Sequence, residues 1–427
     1  MFLLTDMRRL ILLCVLSFIF NEALQAADVR VVHGDKGWQL LVDGLPYIIR
    51  GMVYSPTKIG ENPSDGNWRD WMIVDDNHNS LIDAPYEAWV DQNGNGMRDT
   101  NESVVGDFKL MQDMGVNTLR LPYHPTTDPE MQKINEMASG TALRYNHPPN
   151  KALLRDLFKT YGIRVAIGDF LGAYTVGSGA EWTLGTDYTD PEQRQNMLHS
   201  VEAMVRDFKD EPYVLMWILG NENNYKGNTH TNASDHPEAY VRFVNEVAKR
   251  IHALDPHHPV AVANGETQLL PAFAKYGRDI DIFGVNCYRR PGFGTLWREV
   301  GTTLHKPVVL TEYGLLKPPV SDGKINEEQQ ASEHLKAWCD IAAHTDGGAD
   351  PGNALGGFIF EWVDEWWFNG HPDRHDAVVV GYNNEWHGIT GQGNGEDSPR
   401  QRVLRQVYFL YKKLWKTGEL SCPASAS

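Results

Sequence analysis

Eight short apolar runs, each about the length of a β-strand, recur along residues 47–362 and constrain the fold more than any other sequence feature. Runs this hydrophobic are typical of strands buried on both faces, as in a parallel sheet covered by helices. The predicted strands are Tyr47–Tyr54, Val116–Pro122, Ile163–Asp169, Tyr213–Gly220, Val260–Asn264, Ile280–Asn286, Val308–Glu312 and Gly357–Trp362. Helices are predicted near residues 105–114, 193–209, 237–254, 327–344 and 401–415.

This alternation of strands and helices predicts an α/β fold, specifically a (β/α)8 TIM barrel. A doubly wound open sheet is the structural alternative, but no glycine-rich phosphate-binding turn follows any predicted strand. Two short strands at 29–32 and 38–42 predict a hairpin ahead of the barrel, and a polar insertion at about 62–105 follows strand one. No linker divides the series, so residues 27–420 are predicted to form one domain.

Residues 1–26 have the pattern of a secretory signal peptide. Arg8-Arg9 precede the apolar run 10–20, and Ala23-Leu-Gln-Ala26 offers a small-residue cleavage site. Lipidation at Cys14 is an alternative, although no small residue precedes it. We therefore predict a secreted or periplasmic protein with no membrane contact after signal removal. The mature chain would keep three of the four Cys residues, an odd count that allows at most one disulfide.

The net charge of −17 disfavours nucleic acid and anionic membranes as partners and makes neutral or cationic substrates more natural. The sequence also has 13 Trp residues, more than a core of this size needs. Six of them lie in polar loops, where each is either a platform for stacking a sugar ring or a plug that closes the loop. These six are Trp68, Trp71, Trp89, Trp182, Trp366 and Trp367.

Polar residues gather at the carboxyl ends of the predicted strands, which converge on one face of a barrel. The fourth run ends abruptly in Gly-Asn221-Glu222-Asn, and the seventh ends in Glu312. A glutamate that ends a strand is either merely solvated or catalytic, and packing does not require a carboxylate there. The other polar strand ends are Arg120, Tyr123 and His124 after strand two, Asp169 after three, Tyr288 after six, and Glu361 with Trp362 after eight.

Two carboxylates on opposed sides of one site are the machinery of retaining glycoside hydrolysis. One has a raised pKa and serves as general acid and base, while the other is ionised and serves as nucleophile. A neighbouring arginine favours the ionised nucleophile, a tyrosine hydroxyl orients it, and an asparagine beside the acid suits the sugar 2-hydroxyl. The pattern therefore predicts an enzyme that acts on carbohydrate and needs no cofactor for catalysis.

Five motifs occur in an order that resembles the clan A retaining glycoside hydrolases, most closely the catalytic TIM barrel of glycoside hydrolase family 2. The motifs are Gly115-Val-Asn-Thr-Leu-Arg-Leu-Pro-Tyr-His-Pro125, Leu219-Gly-Asn-Glu222, Asp281-Ile-Phe-Gly-Val-Asn-Cys-Tyr288, Lys306-Pro-Val-Val-Leu-Thr-Glu-Tyr-Gly314 and Gly356-Gly-Phe-Ile-Phe-Glu-Trp-Val-Asp364. The resemblance covers about residues 40–415. It implies that Glu222 is the general acid/base and Glu312 the nucleophile.

Five substrate-binding residues are implied by the same resemblance. Arg120 and Tyr288 would support the nucleophile, and Asn221 would bind the 2-hydroxyl. The aromatic residue of strand eight is assigned to Trp362, with Phe360 as the alternative. His124 is assigned to substrate binding, with a structural hydrogen-bonding role as the alternative.

Family members usually carry β-sandwich domains ahead of the barrel, and this sequence leaves no room for them. An open cleft for β-linked, glucan-like oligo- or polysaccharide is therefore expected. Fungal β-1,3-glucan transferases also have stand-alone clan A barrels with the same paired glutamates, so transglycosylation is an alternative. A non-catalytic carbohydrate-binding barrel is the rival from another class. A metal-dependent hydrolase is disfavoured because the strand ends supply only His124 as a plausible ligand.

The insertion contains two segments that predict structural calcium sites. In Asp91–Glu102 the predicted ligands are Asp91, Asn93, Asn95, Met97 through its carbonyl, Asp99 and Glu102, with Gly96 at the sharp turn. The segment before it repeats this beginning, with predicted ligands Asp75, Asn77, Asn79 and Asp83. There Ser80 replaces the glycine, and Glu87 falls one place late for the last ligand. A plain polar loop is the alternative for each. The adjacent Trp68, Trp71 and Trp89 would then form a binding wall.

Overall fold

Eight parallel strands close into a barrel in the computed structural model, which confirms the predicted fold. They are β1 (Ile49–Val53), β2 (Thr118–Leu121), β3 (Arg164–Asp169), β4 (Val214–Leu219), β5 (Val260–Gly265), β6 (Ile282–Asn286), β7 (Val308–Tyr313) and β8 (Ala354–Ile359). Each pairs with its neighbour in sequence order, and β8 pairs with β1 to close the ring. The structure describes residues 26–138, 140–321, 323–345, 352–376 and 384–422. The signal peptide predicted for residues 1–26 lies outside them except for its last residue.

Helices cover the outside of the barrel. Their bounds are Asp83–Glu87, Asp107–Met114, Pro129–Met137, Gly140–Leu143, Lys151–Tyr161, Pro191–Phe208, Lys226–Thr229, Pro237–Leu254, Leu270–Tyr276, Leu296–Leu304, Glu327–Ala343 and Gln406–Tyr411, with a π-helical turn at Lys412–Thr417. Two of these helices begin with proline, at Pro191 and Pro237. The fixed φ of proline suits a helix, and the N–H that proline lacks would have no helical partner at the first position. Asp190 caps the first of these two helices by accepting from the N–H of Glu192 at 2.8 Å.

The strands bury both faces, which explains their continuous apolar runs. One set of side chains, including Met216, Ile218 and Phe358, fills the barrel interior. The alternate set, including Trp217, packs outward against the helices. Space inside is tight: a Cβ atom added at Gly51 would lie 2.3 Å from the Phe358 ring. The layered packing fixes the strand ends, and with them the site, in one position.

The N-terminal element is a three-stranded antiparallel sheet, where the sequence predicted a hairpin. Its strands are Val29–Gly34, Gly37–Val42 and Leu45–Tyr47. The third strand forms because Asp43 and Gly44 both have positive φ, at 51° and 79°, which gives the tight two-residue turn that matches strand twist. The first barrel strand therefore starts at Ile49, two residues later than predicted.

The helix predicted at 401–415 is wrong in its first turn, where Gln401–Leu404 is a strand. This strand pairs in parallel with Trp89–Val90 of the insertion and antiparallel with Thr390–Gly391. Arg402 is fully buried and donates to both carboxylate oxygens of Asp107, at 2.8 and 2.7 Å. A buried guanidinium needs such a bidentate partner, and the ion pair fixes this segment in an extended form against the barrel.

A disulfide joins Cys339, on the helix Glu327–Ala343, to Cys422 near the C-terminus. Cys287 is buried and stays reduced, donating to Glu266 at 3.2 Å. The bond matches the single pair that the sequence allows. In the described residues, we find no helix with the length and apolar character needed to cross a membrane.

Candidate active site

The turn after β4 is set by backbone geometry that few sequences adopt. Gly220 has a φ of 78°, and a Cβ atom there would lie 2.4 Å from Oδ1 of Asn223. Asn223 accepts from the N–H of Asn221 at 2.7 Å and donates to the carbonyl of Leu171 at 3.0 Å. Glu222 follows with a φ of 55°, a conformation that costs energy outside glycine and that clusters at functional sites. The turn thereby points Asn221 and Glu222 in fixed directions.

Burial gives Glu222 the electrostatics of a proton donor. Desolvation is the main cause that raises its pKa to about 7, and the negative charge of Glu312 raises it further. Asn286 donates to its Oε1 at 3.2 Å, which opposes the shift. A carboxyl group with a pKa near neutrality can give and take a proton at physiological pH.

Glu312, at the end of β7, is held at both carboxylate oxygens. Arg120 donates from Nη1 to Oε1 at 2.7 Å, and the Tyr288 hydroxyl donates to Oε2 at 2.7 Å. The same Nη1 also donates to the backbone carbonyl of Thr311 at 2.9 Å. Burial raises the pKa of Tyr288 well above its usual value, so the phenol keeps its proton and remains a donor. Glu312 is therefore oriented as an acceptor by two fixed donors.

Arg120 also connects the two carboxylates through Asn221 and Asn286. Its Nη2 donates to Asn221 Oδ1 at 2.7 Å, while Asn286 donates to the same oxygen at 3.2 Å. The Asn221 amide donates in turn to the Tyr174 hydroxyl at 3.2 Å. Arg120 is fully buried, so this network is rigid and largely shielded from water. Five predicted residues thus meet at one site: Arg120, Asn221, Glu222, Tyr288 and Glu312.

The contacts of His124 are with residues other than these five. Its ring stacks on Tyr123 at 4.7 Å, and Nε2 lies 3.4 Å from Oδ2 of Asp169. The side chain is only 1% exposed. These contacts fit the structural alternative, in which the histidine supports the loop after β2.

Trp362 is not at the site either, which corrects its assignment to substrate binding. The side chain is fully buried in the layer between barrel and helices, with its ring 6.3 Å from that of Tyr408. Strand β8 ends at Ile359, so the chain turns before Trp362. Phe360, the alternative, is half-buried, packs at the interior end of the barrel and lies 5.2 Å from the His387 ring.

The structure adds polar groups that the sequence analysis did not assign. Asn286 ends β6 and belongs to the motif Asp281–Tyr288, so its place at the site could have been predicted from the sequence. Tyr174 lies on the loop after β3, where the sequence has no periodic pattern that would predict its position. Glu361 and Glu365 follow β8, and burial is the main cause that raises the pKa of both, to about 8 for Glu365.

The six loop tryptophans divide between the two roles considered for them. Trp71, Trp89 and Trp366 are buried and plug their loops. Trp68 and Trp367 are half-buried and pack against each other, with ring centroids 4.9 Å apart and ring planes tilted by 41°. Trp182 is 41% exposed and packs on His230. Trp68, Trp71 and Trp89 were expected to form a binding wall. Of these three, only Trp68 has a ring that is partly exposed to solvent.

The segment Asp91–Glu102 brings several predicted calcium ligands together. Asn93 and Asn95 both donate to Oδ2 of Asp99, at 2.6 and 3.0 Å, so these three side chains meet at one point. Asp91 accepts from the N–H of Gly96 at 2.9 Å. Glu102 is buried and accepts from backbone N–H groups of the same loop. Met97, whose carbonyl was the remaining ligand, donates its own N–H to Asn95 at 2.8 Å.

The preceding loop, residues 75–87, has similar internal hydrogen bonds, but a different carboxylate contacts its two asparagines. Ser80 has a φ of 71° at the place where Gly96 has 78°, and its N–H donates to Asp75 at 2.9 Å. Asn77 and Asn79 both donate to Glu87, at 2.9 and 2.7 Å. Asp83 is not with them, because its carboxylate is buried and accepts from the N–H of Asp76 at 3.2 Å. Glu87 therefore lies where Asp83 was predicted.

Both loops suit a cation that takes oxygen ligands of mixed kind. Within the described ranges, three or more His, Cys, Asp or Glu side chains nowhere come together closely enough to hold a metal ion. Calcium, however, also accepts amide and backbone oxygens. Turning the Asn93 and Asn95 amides over would present their oxygens, in place of N–H groups, toward Asp99.

Residues 131–339, just under half of the chain, match the model of the TIM barrel domain of glycosyl hydrolases family 2. The chain is a family 2-like barrel. The resemblance to family 2 is thereby confirmed, and three of the five motifs, at 219–222, 281–288 and 306–314, lie within the matched residues. The matched region includes Asn221, Glu222, Tyr288 and Glu312.

Solved structures similar to this family 2-like barrel share its fold at low identity. The β-D-glucuronidase of Dictyoglomus thermophilum is 16% identical, with a TM-score of 0.52 over 93% of this chain and 54% of that one. A β-galacturonidase from Eisenbergiella tayi bound to galacturonate is 15% identical, with a TM-score of 0.51 over 93% and 54%. A calcium binding mutant of Bacteroides uniformis β-glucuronidase 2 is 15% identical, with a TM-score of 0.51 over 89% and 36%. The family 2-like barrel thus spans about half, or less, of the proteins it resembles.

Proposed function

We propose that this protein is a retaining β-glycosidase, with Glu222 as acid/base and Glu312 as nucleophile. The observation that carries the proposal is the contrast between two nearby carboxylates. Arg120 and Tyr288 donate to both oxygens of Glu312, whereas burial raises the pKa of Glu222 to about 7. Two carboxyl groups in such different environments divide the roles of nucleophile and proton donor. The family match and the β-glycosidases among the similar structures support the same class of reaction.

The proposed reaction proceeds in two displacements. In the first, a carboxylate oxygen of Glu312 forms a bond to the anomeric carbon as the glycosidic C–O bond breaks. Glu222 gives its proton to the departing oxygen, so the leaving group departs as a neutral alcohol. In the second, Glu222 takes a proton from water, whose oxygen replaces Glu312 at the anomeric carbon. The sugar is released with its original β configuration, and both carboxyl groups return to their starting states.

We propose β-linked, glucan-like oligo- or polysaccharide as the substrate. An aryl β-glycoside panel with gluco, galacto, manno and uronic acid sugars, followed by β-linked oligosaccharides, should show turnover with at least one sugar. Product sizes on the oligosaccharides distinguish exo from endo cleavage. Products longer than the substrate would identify the transglycosylase alternative, which uses the same two glutamates. Saccharide binding without turnover of any substrate would instead support the non-catalytic barrel and contradict the proposal.

We propose that calcium stabilises the two insertion loops and takes no part in the reaction. Asp91, Asn93, Asn95 and Asp99 would hold the ion in the second loop, together with the carbonyl of Met97 and with Glu102. Asp75, Asn77, Asn79 and Glu87 would hold one in the first. The Trp89–Val90 strand connects the insertion to Gln401–Leu404, so ordering these loops should stabilise the barrel edge. A similar structure is described as a calcium binding mutant.

Removing calcium should lower the melting temperature. At a calcium concentration of 100 times Kd, binding raises the free energy of unfolding by about 2.7 kcal/mol. Chelation should therefore lower the melting temperature on the order of 5 °C. Adding back Ca²⁺, and not Mg²⁺ at equal concentration, should restore it. The Asp99→Ala variant keeps the first loop intact, so calcium should raise its melting temperature less than it raises that of the wild type. An unchanged melting temperature, together with no bound ion by native mass spectrometry, would contradict the proposal.

We also propose that the protein acts outside the cytoplasm, in the periplasm or the medium. The basic and apolar N-terminal pattern motivates this location. A disulfide between Cys339 and Cys422 supports it, because such bonds persist mainly in oxidising compartments.

A further inference from the structure

Trp182 is an exposed tryptophan on the loop after β3. It lies in the turn 181–185, where the N–H groups of Leu184 and Gly185 both donate to the carbonyl of Glu181, at 3.1 and 2.9 Å. The side chain is exposed, although an indole ring gains free energy when it is removed from water. Exposure alone does not mark a binding site, because single apolar side chains are common on protein surfaces. What lies behind the ring and beside it is therefore the evidence that matters.

His230 supports one face of the Trp182 ring. The two ring centroids are 3.7 Å apart, and the ring planes are tilted by 33°. The backbones are equally close: the N–H of Thr186 donates to the His230 carbonyl at 2.7 Å, and a Cβ atom at Gly185 would lie 2.5 Å from the same oxygen. His230 has a φ of 52°, a conformation that costs energy outside glycine and that clusters at functional sites. One face of the indole is thus backed by a fixed ring, and the other is open to solvent.

The segment that carries His230 runs alongside the acid/base residue. The Thr229 hydroxyl donates to the backbone carbonyl of Glu222 at 3.2 Å, and the Thr231 hydroxyl donates to the carbonyl of Asn223. The two residues that flank His230 are therefore bonded to two consecutive residues of the turn after β4. This turn holds the stacked rings directly beside the proposed proton donor.

Trp68 and Trp367, the other partly exposed loop tryptophans, are packed differently. The guanidinium carbon of Arg144 lies 3.5 Å from the ring centroid of Trp68, which also packs against Trp367. Phe368 stacks on Trp367 with ring centroids 4.2 Å apart. Each of these two rings has two packed neighbours, whereas Trp182 packs on one ring among the described residues. A sugar ring needs an open aromatic face, and Trp182 offers one.

The position of the stacked rings indicates which part of a substrate they meet. A general acid gives its proton to the oxygen of the leaving group, so the leaving group lies beside Glu222. The nucleophile Glu312 belongs to β7, three strands around the barrel from β4. The sugars of the leaving group therefore continue past Glu222, away from Glu312. That direction leads over the loops after β3 and β4, which carry Trp182 and His230.

We propose that Trp182, supported by His230, binds a sugar ring of the leaving group, so that β-linked oligosaccharides are cleaved better than substrates with a small leaving group. The inference rests on the proposed glycosidase function and adds a binding position to its site. The faces of a β-linked glucopyranose carry C–H groups that pack on an indole, while its hydroxyls point outward around the rim. Glu181 and Thr183, both exposed, flank Trp182 in sequence and offer hydrogen-bonding groups for those hydroxyls.

The small size of the exposed surface favours a sugar over a protein as the occupant. A stable protein interface buries roughly 800 Å² on each partner. One indole ring among polar neighbours is far smaller than that, but it matches the face of a single pyranose.

The test compares leaving groups on one reacting sugar, chosen as the best sugar of the aryl β-glycoside panel. Its β-glycosyl fluoride has no sugar in the leaving group, whereas its β-linked disaccharide and trisaccharide can place one and two sugars there. Trp182→Ala should lower kcat/KM on the order of 10-fold for the trisaccharide and change the fluoride value less than about twofold. Trp182→Phe keeps an aromatic face and should fall between the wild type and Trp182→Ala. The response of the disaccharide distinguishes the first leaving-group sugar from the second.

Phe409→Ala is the matched control for this substitution. Phe409 is an aromatic residue of similar exposure, 47% against 41% for Trp182, on the helix Gln406–Tyr411 outside the barrel. Its replacement should leave the ratio of trisaccharide to fluoride kcat/KM unchanged. That ratio is measured within one preparation and does not depend on the fraction of folded enzyme, so partial misfolding cannot mimic the result.

A disaccharide β-fluoride tests on which side of the cleaved bond Trp182 acts. Its extra sugar lies on the side of the reacting sugar, so Trp182→Ala should affect it no more than the monosaccharide fluoride. A loss on the disaccharide fluoride equal to that on the trisaccharide would overturn the inference while the glycosidase proposal stands. So would a trisaccharide-to-fluoride ratio that Trp182→Ala does not change, or a wild type that hydrolyses the fluoride and not the trisaccharide.

Equilibrium binding separates this inference from the proposed function. Titration calorimetry of Glu312→Gly with the trisaccharide should show binding that the additional Trp182→Ala substitution weakens about 10-fold. If no glycoside is turned over, cellotriose and laminaritriose serve as the probes on the wild type. Binding that depends on Trp182 without any turnover would support the sugar-binding surface and overturn the glycosidase. Equal binding with and without Trp182, or no binding of any of these trisaccharides, would count against the surface whatever the activity.

Discussion

Replacing Glu312 with glycine should abolish hydrolysis of aryl β-glycosides, lowering kcat on the order of 10⁴-fold or more. The variant lacks the atom that bonds to the anomeric carbon and leaves a space lined by Arg120 and Tyr288. Azide can enter that space and attack from the same face, so it should restore turnover. The product should be the α-glycosyl azide, because a single displacement inverts the anomeric carbon. Aryl release followed by absorbance, with NMR of the azide adduct, measures both effects.

Glu211→Gln provides a matched control for this substitution. Glu211 is also a buried glutamate, but it precedes β4, at the opposite end of the strand from Glu222, and pairs with Arg155 at 2.7 Å. Its replacement should leave kcat within a few-fold of the wild type. If Glu312→Gly keeps full activity, or if azide gives no adduct despite a wild-type melting temperature, Glu312 is not the nucleophile.

Replacing Glu222 with alanine should lower kcat by about 10²–10⁴-fold, since proton transfer by a positioned side chain contributes that much. The pH dependence should change as well. Burial raises the pKa of Glu222 to about 7, and only its protonated form can serve as acid in the first step. For the wild type, kcat/KM should therefore fall as the pH rises through about 7. The variant should have no such decline, because the titrating group is gone.

Azide also distinguishes Glu222 from the nucleophile. In Glu222→Ala the glycosyl ester on Glu312 still forms from substrates with a good leaving group, and azide then displaces it. Two inversions give the β-glycosyl azide, the opposite anomer to that expected from Glu312→Gly. The same anomer from both variants would contradict the division of roles, as would an alkaline decline that persists in Glu222→Ala.

The barrel could be predicted because its signals are local and repeated. Each strand is apolar on both faces, so a short run identifies it without knowledge of its neighbours. The helix Pro237–Leu254 was predicted near its observed bounds, since proline begins it and its apolar face is regular. All eight barrel strands overlap their predicted ranges.

The errors in the fold come from contacts distant in sequence. Gln401–Leu404 is a strand because Arg402 pairs with Asp107 and because its backbone pairs with Trp89–Val90. Neither partner is visible within a local window, where the segment has the composition of a helix. Tertiary pairing overrides weak local preference in such cases.

The site was predictable where its residues end strands and not where they lie on loops. Arg120, Asn221, Glu222 and Glu312 have positions fixed by barrel geometry, so their motifs were enough to bring them together. Tyr174 lies on a connection with no periodic pattern, and only the folded chain shows its hydroxyl accepting from the Asn221 amide. Trp362 was misplaced because β8 ends at Ile359, and the chain has turned by the time it reaches Trp362.

The stereochemistry of the first product tests the central proposal most directly. Proton NMR during hydrolysis of the best aryl β-glycoside records the anomeric signal before mutarotation mixes the two forms. Double displacement at Glu312, assisted by Glu222, predicts that the β-anomer of the free sugar appears first and the α-anomer grows in slowly. Initial release of the α-anomer would mean a single displacement by water and would contradict the assignment of Glu312 as nucleophile.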